Sequence, residues 1–233
     1  MTWLLTATGQ TVDLAWLDAE SIDIDAIAHH LAQLNRFTGA CSRPYSVAEH
    51  SLLVCEILER EYAIRSPAVL MAALLHDAHE AYCADVSSPM KQVLGDGWRH
   101  TEHRIAHSVR ARFAILSASA SARQEIEWAD LTALATERAQ LLPPCGPEWP
   151  VSRSHPPIGW VRLADRDGMT WRDWRQAFLD RFAELSFARN LQLEAVTAAS
   201  AGCCTYPDCN CPFDAPADPA WCARGLPHER SHA

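Results

Sequence analysis

Along most of this chain apolar residues recur at intervals of three and four, the pattern of helices that bury one face. Ile22, Ile24, Ile27, Leu31 and Leu34 set that period over Ser21 to Asn35. Ser46-Val47-Ala48-Glu49 reads as a capping box, the serine accepting from a free backbone N–H and the glutamate reaching back, and it predicts an apolar helix to about Glu61. Ser66-Pro67 is a second start, because proline at the first helical position lacks an N–H that would have no partner there. The helix it opens is expected to run through Leu70, Leu74 and Leu75 to at least Tyr82. Trp98 to Ile115, Ala122 to Leu142 and Trp171 to Leu185 carry the same period, with Trp171, Trp174, Phe178 and Phe182 reading as core. The opening, Trp3 to Leu17, instead alternates apolar and polar residues around Gly9-Gln10, as a short hairpin or extended arm does. Six prolines from Pro143 to Pro157 exclude regular structure in that stretch. The expected fold is all-α: an N-terminal arm over 1–20, a helical domain over 21–195, and a tail over 196–233 where periodicity gives way to Cys, Pro, Asp and Gly.

With 233 residues and 48% hydrophobic content, the chain can bury a core without an external staple. Its net charge of −9 and lack of basic runs argue against a sequence-independent grip on nucleic acid. The start, Met1-Thr2-Trp3-Leu4-Leu5-Thr6, lacks the features of a secretion signal, and the longest apolar run, Ala68 to Leu75, is too short for a bilayer. These features read as a soluble cytoplasmic protein with no membrane partner. Of nine cysteines, Cys203, Cys204, Cys209, Cys211 and Cys222 crowd the tail, and without a signal peptide reduced thiols are expected. Cys204, Cys209, Cys211, Cys222 and His228 suit a structural zinc, but no CxxC pair is present, and a disordered reduced tail fits equally well.

Candidate chemistry lies on the helices. His76-Asp77 stands between His50, in the first turns of one expected helix, and Asp130, set among Ile126, Trp128, Leu131 and Leu134 of another, where an aspartate needs compensation. Imidazole nitrogens and carboxylates on rigid elements suit a divalent metal, and a site with few protein ligands keeps positions open for hydrolytic chemistry. His100, His103 and His107 read as a polar helix face, and His79 is left out of the ligand set.

The set His50, His76-Asp77 and Asp130 resembles the HD-domain metal-dependent phosphohydrolases, an all-helical superfamily. The segments Tyr45 to Ser51, His76 to Lys91 and Ala129 to Leu131 are similar to the branch of bacterial 5′-deoxynucleotidases and phage-type deoxynucleoside triphosphohydrolases, and the likeness covers about residues 20–190. The resemblance implies an HD-type helical bundle in which His50, His76, Asp77 and Asp130 hold a divalent ion, with Mn, Co, Zn and Mg all candidates. It implies Glu80 as the catalytic acid/base and Asp85 as a second active-site carboxylate near the sugar. Arg36 and Lys91 become phosphate contacts, and Phe37 a lining of the nucleoside pocket. The substrate would be a small nucleotide, mono- or triphosphate. Two positions depart from the pattern: Ala84 where relatives often carry Gly, read as harmless, and Glu127 where they often carry Lys, which puts the number of substrate phosphates in doubt. The rival reading is a non-enzymatic module that docks zinc and a partner through its Cys-rich tail; an HD hydrolase of another phosphate substrate is the nearer alternative. Apolar arms on helical bundles often pair, so a homo-oligomer is compatible with the sequence.

Overall fold

Short polar side chains fix where the first two helices begin. In a computed structural model that describes residues 1–201, with side chains to residue 197, the chain starts as an antiparallel hairpin of β1 (Trp3–Leu5) and β2 (Thr11–Asp13), Leu4 opposite Val12. Helix α1 (Ile24–Gln33) follows, its first turn capped by the Asp23 carboxylate on the Asp25 N–H. Ser46 caps α2 (Val47–Glu61) by accepting from the Glu49 N–H at 3.1 Å. Only that half of the expected capping box forms. The Glu49 carboxylate turns away to a bidentate pair with Arg43, both contacts 2.8 Å, because a charged fork offers a buried carboxylate more than one backbone N–H can.

Helix α3 (Pro67–Leu74) starts at the predicted proline but does not reach Tyr82. Between Leu75 and His79 the ladder tightens to i→i−3 bonds, His76 N–H to Ala73 and Ala78 N–H to Leu75, before a single turn, α4 (Glu80–Cys83). The His76 Nδ1–H also donates to the Ala73 carbonyl at 2.7 Å, so side chain and backbone share that acceptor and the regular helix ends there. Next come α5 (Ser88–Leu94), α6 (Asp96–Arg112), α7 (Leu116–Ser121) and α8 (Arg123–Leu141). The proline-rich stretch contains one helical turn, α9 (Val151–Ser154), which begins immediately after Pro150, and α10 (Trp171–Ala201) closes the described chain.

Helix α2 is the centre of packing, in contact with α1, α3 and α8. Its Leu53, Val54, Ile57 and Leu58 are fully buried, as are Leu74 and Leu75 at the end of α3. Trp174 and Phe178 of α10 join this core, while Trp171 and Phe182 pack on it half-buried. The hairpin is tied down by polar contacts. Arg104, Ser108 and Arg112, four residues apart on α6, donate to the carbonyls of Leu14, Leu17 and Ile22. His30 of α1 bridges two segments, Nδ1 donating to the Ala81 carbonyl at 2.7 Å and Nε2 accepting from the Ala7 N–H at 3.1 Å. Met1–Ser186 form one compact unit, and the second begins at Phe187, within α10. No described helix is long and apolar enough to cross a membrane. The four described cysteines, Cys41, Cys55, Cys83 and Cys145, are free thiols. The tail positions proposed for zinc, Cys204, Cys209, Cys211, Cys222 and His228, lie outside the described residues.

Candidate metal centre

His50 sits in the first turn of α2, where packing against α3 and α8 leaves it no exposure. The turns that follow α3 present His76 and Asp77 to it, and the middle of α8 presents Asp130. The His50 Nε2 lies 3.1 Å from Asp130 Oδ1, 3.6 Å from Asp77 Oδ2 and 3.3 Å from His76 Nε2. His76 Nε2 is in turn 3.2 Å from Asp77 Oδ2. Asp130, expected in an apolar setting, has a side chain 38% exposed, because it looks into a cleft rather than the core.

Tautomers decide what these atoms can do. A carbonyl and a carboxylate only accept, so His76 Nδ1 donates to Ala73 at 2.7 Å and His50 Nδ1 donates to Glu137 Oε1 at 2.6 Å. Both Nε2 atoms are thereby left with lone pairs aimed at one point, beside two carboxylates. Two lone pairs 3.3 Å apart repel unless a cation lies between them. The same field favours a cation on the outward nitrogen, whether proton or metal: burial and Arg36 lower the His50 pKa, yet Glu137 and Asp130 outweigh them and push it up to about 9. Burial would raise the Asp77 carboxyl, but His76 and His50 hold it well below the usual range. His50, His76 and Asp130 bring their ligand atoms within 4.8 Å of one another, a set that fits a divalent cation with each nitrogen oriented from behind, and Asp77, grouped instead with His79 and Glu80, borders it through its contacts with His50 and His76.

Glu137, which sequence reasoning passed over, is the buried hub behind the centre. It has no exposure, accepts from Tyr45 Oη at 2.9 Å and from His50, and lies 3.4 Å from Arg36 Nε. Its signal was present: seven residues after Asp130, it lies two helical turns along the same face of α8. Arg36 also approaches Asp77 at 3.5 Å. Burial would lower its pKa, but Glu137 and Asp77 outweigh that and raise it. Arg36 opens a tight turn in which Phe37 (φ 56°) and Thr38 (φ 54°) both occupy the left-handed region, and the Phe37 ring lies 6.1 Å from that of Trp149.

His79 and Glu80 complete the surroundings. Their ligand atoms and those of Asp77 fall within 4.8 Å of one another, so His79 belongs to the centre's neighbourhood. Glu80 is 3% exposed, its Oε2 has no partner, and burial together with Asp77 and Asp85 pushes its pKa well above the carboxylate range. Asp85 is half-buried and raised by burial, with Arg36 opposing and Asp77 adding to the shift. Ala84, expected to be a harmless replacement, has φ 68° and ψ 161°, a backbone region that belongs to glycine. A cleft of about 350 Å³ opens in front of His76, Asp77 and Asp130 and is also lined by His79, Lys91, Glu102 and Glu127. The Lys91 Nζ is 2.6 Å from Glu102 Oε1. His103 lines the cleft, whereas His100 and His107 are exposed on α6.

No family model matches the chain. It is similar to the uncharacterized protein YfdR of Escherichia coli (strain K12), 33% identical over 156 residues, or 67% of this chain and 82% of YfdR. An uncharacterized protein of Rhodobacter capsulatus is 34% identical over 142 residues, 60% of this chain and 72% of the relative.

Proposed function

The chain belongs to the family of the Escherichia coli protein YfdR, and from the centre it carries we propose that it is an HD-type metal-dependent phosphohydrolase acting on (deoxy)nucleotides. One observation carries this reading: His50 and His76 turn their Nε2 atoms to a shared space with Asp77 and Asp130, while Glu137 and the Ala73 carbonyl hold both rings from behind. A divalent cation held there would neutralise phosphoryl oxygen and make water a nucleophile near neutral pH.

The chain's own residues supply the rest. Glu80, buried and with a raised pKa, holds a proton that its free Oε2 can pass to a leaving oxygen. Arg36 balances the charge of Asp77 and Glu137 and so helps hold Asp77 in place. Phe37, beside Trp149, offers aromatic surface for a nucleoside. Lys91 stands at the cleft as a phosphate contact held by Glu102.

The test is phosphate release from a panel of deoxynucleoside mono- and triphosphates with added Mn, Co, Zn or Mg, comparing the chain with Asp77→Ala. Metal-dependent release by the chain and none by the variant is expected. A folded, metal-loaded protein that releases phosphate or polyphosphate from no nucleotide would overturn the proposal.

A further inference from the structure

The cations near the centre are mostly spoken for. Arg36 faces Asp77 and Glu137, Arg43 faces Glu49 and Asp167, and Lys91 faces Glu102. Arg110 and Arg123 differ. Both line the cleft in front of His76, Asp77 and Asp130, and among the described residues neither has a carboxylate within ion-pair distance or a hydrogen-bond acceptor. Arg110 lies in the last turn of α6 and Arg123 is the first residue of α8, so the short α7 between them brings both residues to the cleft. They feel each other: burial lowers the Arg110 pKa, Asp77 opposes, and the charge of Arg123 lowers it further.

Ser119 of α7 lines the same cleft, and its Oγ is buried without a partner. Two like charges and an orphaned hydroxyl held together in a concave surface are unfavourable by themselves and become favourable when an anion with several oxygens joins them. Of the carboxylates on the cleft besides Asp77 and Asp130 of the centre, Glu102 is taken by Lys91 and lies 3.5 Å from His79 Nε2, and Glu127, like Arg123, is exposed.

We propose that Arg110, Arg123 and the Ser119 hydroxyl form a subsite for the distal phosphates of a polyphosphate chain whose reacting phosphorus lies at the centre of His50, His76, Asp77 and Asp130. The substrate class is then the nucleoside triphosphate rather than the monophosphate, and the arginines replace the cation lost at Glu127. This rests on the phosphohydrolase reading for its substrate, but the subsite can be read without catalysis.

The experiment is isothermal titration of inorganic tripolyphosphate into chelator-stripped full-length protein, repeated with Arg110→Gln/Arg123→Gln and with Arg110→Lys/Arg123→Lys, alongside KM for deoxynucleoside tri- and monophosphates. The Gln pair is expected to weaken tripolyphosphate binding by about tenfold or more, with the Lys pair between it and the unmodified chain. The KM for triphosphate should rise by a similar factor, with that for monophosphate nearly unchanged. Tripolyphosphate binding equal in all three proteins, or equal KM changes for both substrates, would overturn the subsite. Loss of tripolyphosphate binding in the Gln pair of a protein that hydrolyses no nucleotide would uphold the subsite and remove the hydrolase reading instead.

Discussion

Glu137 shows how one side chain sets the chemistry of others. Its carboxylate holds the proton on His50 Nδ1, so the outward nitrogen of His50 is the one a metal would take in place of a proton. Glu137→Gln keeps the shape but weakens that hold, and divalent-metal affinity is expected to fall about 10- to 100-fold with the fold intact, measured by titration calorimetry. Unchanged affinity would mean His50 is oriented by packing alone. Ala84 offers a second test. At φ 68° and ψ 161° it stores strain that glycine would not, so Ala84→Gly is expected to stabilise by about 1 kcal/mol in urea unfolding, strain relief exceeding the added chain entropy. A destabilised variant would show that the Ala84 methyl makes contacts worth more than the strain. The four candidate ligands could be singled out from residue type and position, because His and Asp inside apolar helices need a reason. Glu137, Arg110 and Arg123 were not, because a Glu or Arg on a helix is ordinary until its partner, or lack of one, is known.

At the level of elements, periodicity found the helices because one-sided burial is what fixes α1, α2, α6 and α8. It failed at the end of α3. Leu74, Leu75 and Ala78 continue an apolar pattern, yet His76 bonds to Ala73 and the chain breaks into turns, a local competition that hydrophobic spacing does not record. That break separates His76 and Asp77 from the short α4 that carries Glu80. Ser46 was read correctly as a cap, whereas the turn of Glu49 to Arg43 was invisible, because Arg43 is itself held 120 residues along: it joins Glu49 to the Leu163 carbonyl at 2.9 Å and to Asp167 at 2.8 Å. Removing the guanidinium strands a carboxylate with no exposure, so Arg43→Ala is expected to cost about 3–5 kcal/mol in denaturant unfolding. A loss below about 1 kcal/mol would mean Glu49 takes up a proton or finds water instead.

Over the whole molecule, the compact unit Met1–Ser186 contains the hairpin, the core and the cleft. Its acid response has one assignable part. The His79 hydrogen bond, and the Lys91 ammonium 2.6 Å away, hold Glu102 at about 2 against the opposing effect of burial. The shorter contact makes Lys91 the firmer partner. Because the folded pKa lies below the ordinary 4.5, the stability Glu102 adds is full above that value and is lost as pH falls through about 2. Glu102→Gln should therefore melt lower than the unmodified chain at neutral pH, and the gap should close in that window; parallel melting curves would refute the pairing. All of this leans on the centre that joins α2, α3 and α8. The measurement that tests it most directly is calorimetric titration of Mn into chelator-stripped chain and into Asp77→Ala. Binding by the chain that the substitution abolishes is the predicted result, and no binding, or binding that Asp77→Ala leaves unchanged, would contradict it.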